Sequence, residues 1–249
     1  MKLLIAKLKP AGGFSWLIHR GILAALPLVV FVLVRLQFTQ LALSIILLSK
    51  WRMFAVQPRF WPAMVRANAI DIIVGVSVLI FMMHTNSFGL QLLWAVLYGV
   101  WLIGIKPAST RFMISIQAAL GQLAGLMALY VAWASGPLFG LVIITGLVCY
   151  LAARHFFDSY DEAYAKLLAY LWGYFGAALA WLLGHWLLFY GVISQPALLL
   201  STIGYGVAVL YGYDHAGKLH PMLKRQFVFV MIAIIIVVLT FSDWGDKVV

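Results

Sequence analysis

Nine apolar stretches, almost free of charge, recur along this 249-residue chain, and that recurrence is what most limits its possible folds. They cover residues 17–34, 36–49, 67–83, 90–105, 112–133, 138–153, 163–190, 197–213 and 227–240. A stretch of about 20 apolar residues spans the hydrocarbon core of a bilayer as a helix, and only helices or closed barrels satisfy their backbone there. Hydrophobic residues make up 65% of the chain and charged residues only 10%. A soluble domain carries about 25% charged residues. The expected fold is therefore all-α, a polytopic transmembrane bundle of about nine segments. One membrane domain is expected over residues 21–242, between an interfacial amphipathic start (1–20) and a polar tail (243–249). The apolar run beginning at Leu17 passes Ala24 and Ala25 with no secretory cleavage signal.

The basic connectors orient the bundle. Arg35 separates the first two stretches, and the second, at 14 residues, is short for a full crossing. If these two stretches form a hairpin, full or re-entrant, fifteen of the seventeen Lys and Arg residues fall on one side. The positive-inside rule makes that side cytoplasmic, so the N-terminus is expected inside and the C-terminus outside. The net charge of +10 then reflects topology, and no nucleic-acid partner is expected.

One connector is unlike the others. Arg154, His155, Asp158, Asp161 and Glu162 form a polar cluster before the stretch that starts at Ala163. Ser159-x-x-Glu162 has the spacing of a capping box, which predicts a helix beginning there and running to Tyr190. Gly173, Gly176, Ala177, Ala180 and Gly184 on that helix, and Gly121 and Gly125 as a GxxxG pair with Gln117 one turn earlier, are small-xxx-small faces for close helix packing. Tyr174, Trp181 and His185 share another face, read either as a pocket wall with a titratable imidazole or as part of an interfacial aromatic belt.

Asp71 lies one turn inside a span, where a carboxylate is costly and marks an ion or proton path or a structural pair with Arg59 or Arg66. With Gln117, Gln122, Tyr174, Trp181 and His185 it makes up the candidate substrate-binding set. No catalytic residue is singled out, because the chain has no Walker loop, HExxH, G-x-S-x-G or GxGxxG. No metal or other cofactor is expected. The spacings Asp158/Asp161/Glu162 and His215/His220 match no metal motif, and the single Cys149 excludes an intrachain disulfide.

Lys50-Trp-Arg-Met-Phe-Ala-Val-Gln-Pro-Arg-Phe-Trp61, and Arg225-Gln-Phe-Val-Phe-Val230 leading to Phe241-Ser-Asp-Trp244, resemble an uncharacterised family of multi-pass membrane proteins from Saccharibacteria and related candidate-phylum bacteria. The resemblance implies a bacterial cytoplasmic-membrane protein and supplies no activity. Such host-dependent cells import lipids and metabolites, so it tilts the reading toward a transporter or permeation protein for a small solute or lipid. The alternatives are a non-catalytic scaffold or assembly subunit, and an intramembrane enzyme acting on a lipid or polyprenyl phosphate. The expected partners are membrane lipids and either further copies of the chain or other membrane proteins.

Overall fold

The structure, a computed structural model, describes residues 14–133, 136–185, 189–190 and 193–242. The polar tail and most of the interfacial N-terminus lie outside these residues. The described chain is helical apart from one two-stranded ribbon, and it divides into two compact units, residues 1–109 and 110–249. Six helices are long and apolar enough to cross a membrane. They begin at Phe88, Arg111, Leu138, Ala165, Gln195 and Pro221, and they fit a multi-pass membrane protein.

In unit 1, α1 (Phe14–Arg35) and α2 (Thr39–Leu48) pack as a hairpin. Its turn is built by backbone bonds. Phe38 N–H reaches Leu33 O and Gln37 N–H reaches Val34 O, with Gln37 left-handed at φ 65°. This is a Schellman closure, which usually places glycine at the left-handed position. Arg35 is exposed at this turn and donates to Gln91 Oε1, as a surface charge.

After two short 3-10 turns, α3 (Trp61–Ala67) and α4 (Ala69–Met83) form a pair bent by 60°. Ten of the fifteen residues of α4 are buried, so it is the centre of this unit. It packs against α2 and against α5 (Phe88–Val100), which continues as a single π-helical stretch, Trp101–Ile105. Gly75 of α4 makes room for a neighbour, since a Cβ there would stand 2.8 Å from Tyr98 Oη and 2.9 Å from Ile46 Cγ2.

Unit 2 holds α6 (Arg111–Trp133), α7 (Leu138–Ser159), α8 (Ala165–Gly184), α9 (Gln195–His215) and α10 (Pro221–Phe241). The helices α7 and α8 are its closest pair, and small residues explain why. A Cβ on Gly173 would lie 2.9 Å from both Gly146 O and Tyr150 Cβ, and one on Gly176 would lie 2.6 Å from Cys149 Sγ. Ala180 and Gly184 continue this buried face, and Gly121 and Gly125 are buried on α6. A core of Leu126, Val148, Cys149, Ala197 and Leu200 joins α6 to α9. Val238 is the one buried residue of α10.

The polar connector corrects two expectations. Helix α7 does not stop before it but runs on to Ser159, stitched by an Arg154–Asp158 ion pair at 3.0 Å. Ser159 Oγ donates back to Phe156 O, so it closes α7 and does not cap α8. Asp161 then takes a left-handed turn at φ 52°, and α8 begins at Ala165 with no side-chain cap. Glu162 receives the Tyr164 N–H at 3.3 Å but does not form the reciprocal box. Ser159 is still the last residue of α7, six residues before α8 begins, so its oxygen is not placed at the first N–H groups of that helix, which is why the spacing misled.

The helix also ends earlier than expected, at Gly184. Phe189–Tyr190 instead pairs antiparallel with Ile193–Ser194.

Gly173→Leu is expected to destabilise the protein by on the order of 3 kcal/mol, because the two backbones must separate. Leu167→Ala, on the exposed side of α8, is expected to change little. Thermal melts of the two purified variants check the difference.

Candidate functional site

Two places inside the apolar units are candidate sites. The first is in unit 1. The connector after α2 delivers Lys50, α4 delivers Asp71, and the π-helical stretch delivers Trp101 and, just beyond it, Lys106. Both ammonium groups bond Asp71 Oδ2, and Trp101 Nε1 donates to Oδ1 at 2.9 Å. Asp71 and Lys50 are buried, whereas the Lys106 side chain keeps 31% of its exposure.

The π stretch matters here because it inserts an extra residue per turn and rotates Lys106 around the helix axis relative to a regular α-helix. Burial pushes the Lys50 amine down to about 8, against the opposing pull of Asp71. Two lysine amines thus share one carboxylate. The expected partner Arg59 lies over the Phe60 ring at 4.6 Å, and neither it nor Arg66 forms an ion pair with Asp71. Lys50 belongs to a connector between two apolar stretches, and no local signal shows that α2 and α4 bring it to Asp71.

The second place is a cavity of about 280 Å³ in unit 2. It is lined by residues within 115–122 of α6, 152–157 of α7, 168–172 of α8 and 201–208 of α9. Its walls are mostly apolar, and Ala118, Ala119, Ala152, Ala153, Gly204 and Ala208 account for the space, since larger side chains would fill it. Gln122 is buried at one side of it. It donates from Nε2 to Leu200 O and accepts from Trp172 Nε1, both at 2.9 Å. One amide thereby ties α6 to α8 and α9, and a carbonyl of α9 gains a partner. Ser201 Oγ is buried beside the cavity with no hydrogen-bond partner.

The remaining candidates lie elsewhere. Gln117 does not line the cavity, and its Oε1 pairs with His155 Nε2 at 3.0 Å. Tyr174 and Trp181 are 77% and 50% exposed. His185 bonds Trp181 O at 2.7 Å and meets the Trp181 ring edge-on, so these three side chains lie on the outside of unit 2. That position suits an aromatic belt.

Arg154 and Asp158 serve each other, and the Tyr211 hydroxyl donates to Glu162 Oε2. This bond, and after it the Tyr164 N–H, holds the Glu162 carboxyl below its usual range. No group of three or more His, Cys, Asp or Glu is placed to share a metal among the described residues. Asp71 belongs to unit 1, and the other members of the candidate substrate set belong to unit 2.

Asp71→Asn is expected to cost about 3–5 kcal/mol, because it strands the Lys50 ammonium in an apolar interior. Adding Lys50→Met is expected to recover most of that loss, since the buried charge then disappears. Melting curves of the single and double variants decide it. Comparison with protein-family models, with curated proteins and with solved structures finds no match to this chain.

Proposed function

We propose that the protein binds a lipid chain, or an apolar molecule of similar width, in the unit 2 cavity, and that it serves as a transporter or permeation protein for such a molecule. The observation that carries the reading is the cavity itself, held open by small residues between four helices. An apolar wall with few polar groups is the usual composition of a small-molecule site. Leu171, Tyr205 and Val207 line it and are also exposed, so it opens sideways where a bilayer would supply chains. The carboxylates of the polar connector support this reading over lipid-phosphate chemistry, because Asp158 and Glu162 are engaged by Arg154 and Tyr211.

A fatty acid bearing a photoactivatable diazirine tests it in reconstituted vesicles. The label is expected in peptides covering 115–122, 168–172 and 201–208. Ala119→Phe, which fills the cavity, is expected to reduce it about tenfold, in line with a lost apolar pocket for a chain segment. Label spread evenly over exposed helices, and unchanged in the variant, would sink the reading.

The membrane arrangement that accompanies this function has nine segments, N-terminus inside and C-terminus outside. Besides the six long helices, it uses the bent pair 58–67/69–83 and the two shorter apolar helices, 23–35 and 39–48. The tight turn at Gln37 supports a hairpin for those two over one long helix. Reporter fusions after Val249 and within His84–Ser87 are both expected on the outer side, with the N-terminus inside. A cytoplasmic signal from both would reverse the orientation.

A further inference from the structure

We propose that the cavity of unit 2 takes one acyl chain of a phospholipid and that Arg111 holds the phosphate of the same molecule. This rests on the chain-binding reading above. Steps of three and four residues return to one face of a helix, so Arg111, Ser115, Ala118 and Gln122 form a single stripe on α6. The last three line the cavity. Arg111 extends the stripe one turn toward the polar connector, about 6 Å beyond Ser115 along the axis.

Its guanidinium stands 5.4 Å over the Tyr160 ring. Tyr160 packs at 4.9 Å on Phe156, which is a cavity wall. A cation therefore sits over one end of an apolar channel. The three ion pairs among the described residues do not include Arg111. Of the three connector acids, Asp158 and Glu162 are engaged by Arg154 and Tyr211. A guanidinium fork recognises phosphate oxygens in pairs. An apolar channel ending at an unneutralised guanidinium thus fits one molecule that carries both a chain and a phosphate.

Trp172 lies in the cavity and reports on its contents. The test titrates the full-length protein in detergent micelles with two lipids bearing the same dibrominated chains, a phosphatidylglycerol and a diacylglycerol. The signal is the quenching that is lost in Trp172→Phe. Both lipids are expected to quench saturably, the phospholipid with roughly tenfold higher affinity, as a charge-assisted pair would give. In Arg111→Gln that advantage is expected to vanish while diacylglycerol quenching stays unchanged, and Arg111→Lys is expected to keep part of it. Equal affinities in the parent protein, or an advantage that survives Arg111→Gln, would overturn the inference and leave the chain-binding reading standing. Displacement of the phospholipid by millimolar inorganic phosphate would overturn it in favour of a free-anion site. No Trp172-dependent quenching by either lipid would overturn the chain-binding reading, and this inference with it.

Discussion

A polar group inside a bilayer has no water to fall back on, so each must find its partner within the protein. Much of this structure derives from that constraint. In unit 1 it gathers a carboxylate, two ammonium groups and an indole N–H from three separate segments into one buried knot. At the other end of α4, Gln91 donates to Met82 O and Thr85 O, where the helix runs out of its own donors. In unit 2, Gln122 supplies Leu200 O and takes the Trp172 indole. These side chains work as fasteners between helices whose other surfaces are interchangeably apolar.

Close packing in lipid cannot draw on hydrophobic burial, because the alternative environment is equally oily. The helices of unit 2 meet instead through dispersion at short range. The glycines at 146, 173 and 176 let α7 and α8 approach until a methyl group would collide with backbone or sulfur. The same economy of side-chain volume has a second consequence a few turns away. There, alanines and a glycine on three helices face one another and α8 without meeting, and the space between them is the cavity. Tight contact and open pocket are therefore two outcomes of one residue choice. Which one results depends on how far apart the helix axes lie.

The polar connector between α7 and α8 shows how local signals compete. By spacing alone Ser159 could serve the end of one helix or the start of the next, and it falls at the end of α7, bonded to Phe156 O. Glu162, released from capping, meets the hydroxyl of Tyr211 on α9. Phe156 and Tyr160 each meet the Tyr211 ring edge to face, and Tyr160 meets His215 in the same way. Two of the three carboxylates of the polar cluster thus tie the connector to α7 and α9.

Read alone, the sequence determined the features that depend on local composition. The apolar stretches, their helical state and the small-residue faces at Gly173, Gly176 and Gly184 were legible because lipid imposes them residue by residue. Gln122 was legible as a polar group within an apolar stretch, though its partners were not. Tertiary structure decided what needs residues far apart in the chain. Lys50, Asp71, Trp101 and Lys106 come together only because α2, α4 and the π-helical stretch after α5 converge, and a π turn leaves no composition signal. The stop at Gly184 and the strand pair beyond it were equally hidden, since an apolar run reads the same in a helix as in a short ribbon. The cavity was the least visible of all. Alanine and glycine mark where two helices can touch, but only the distance between their axes decides whether they do.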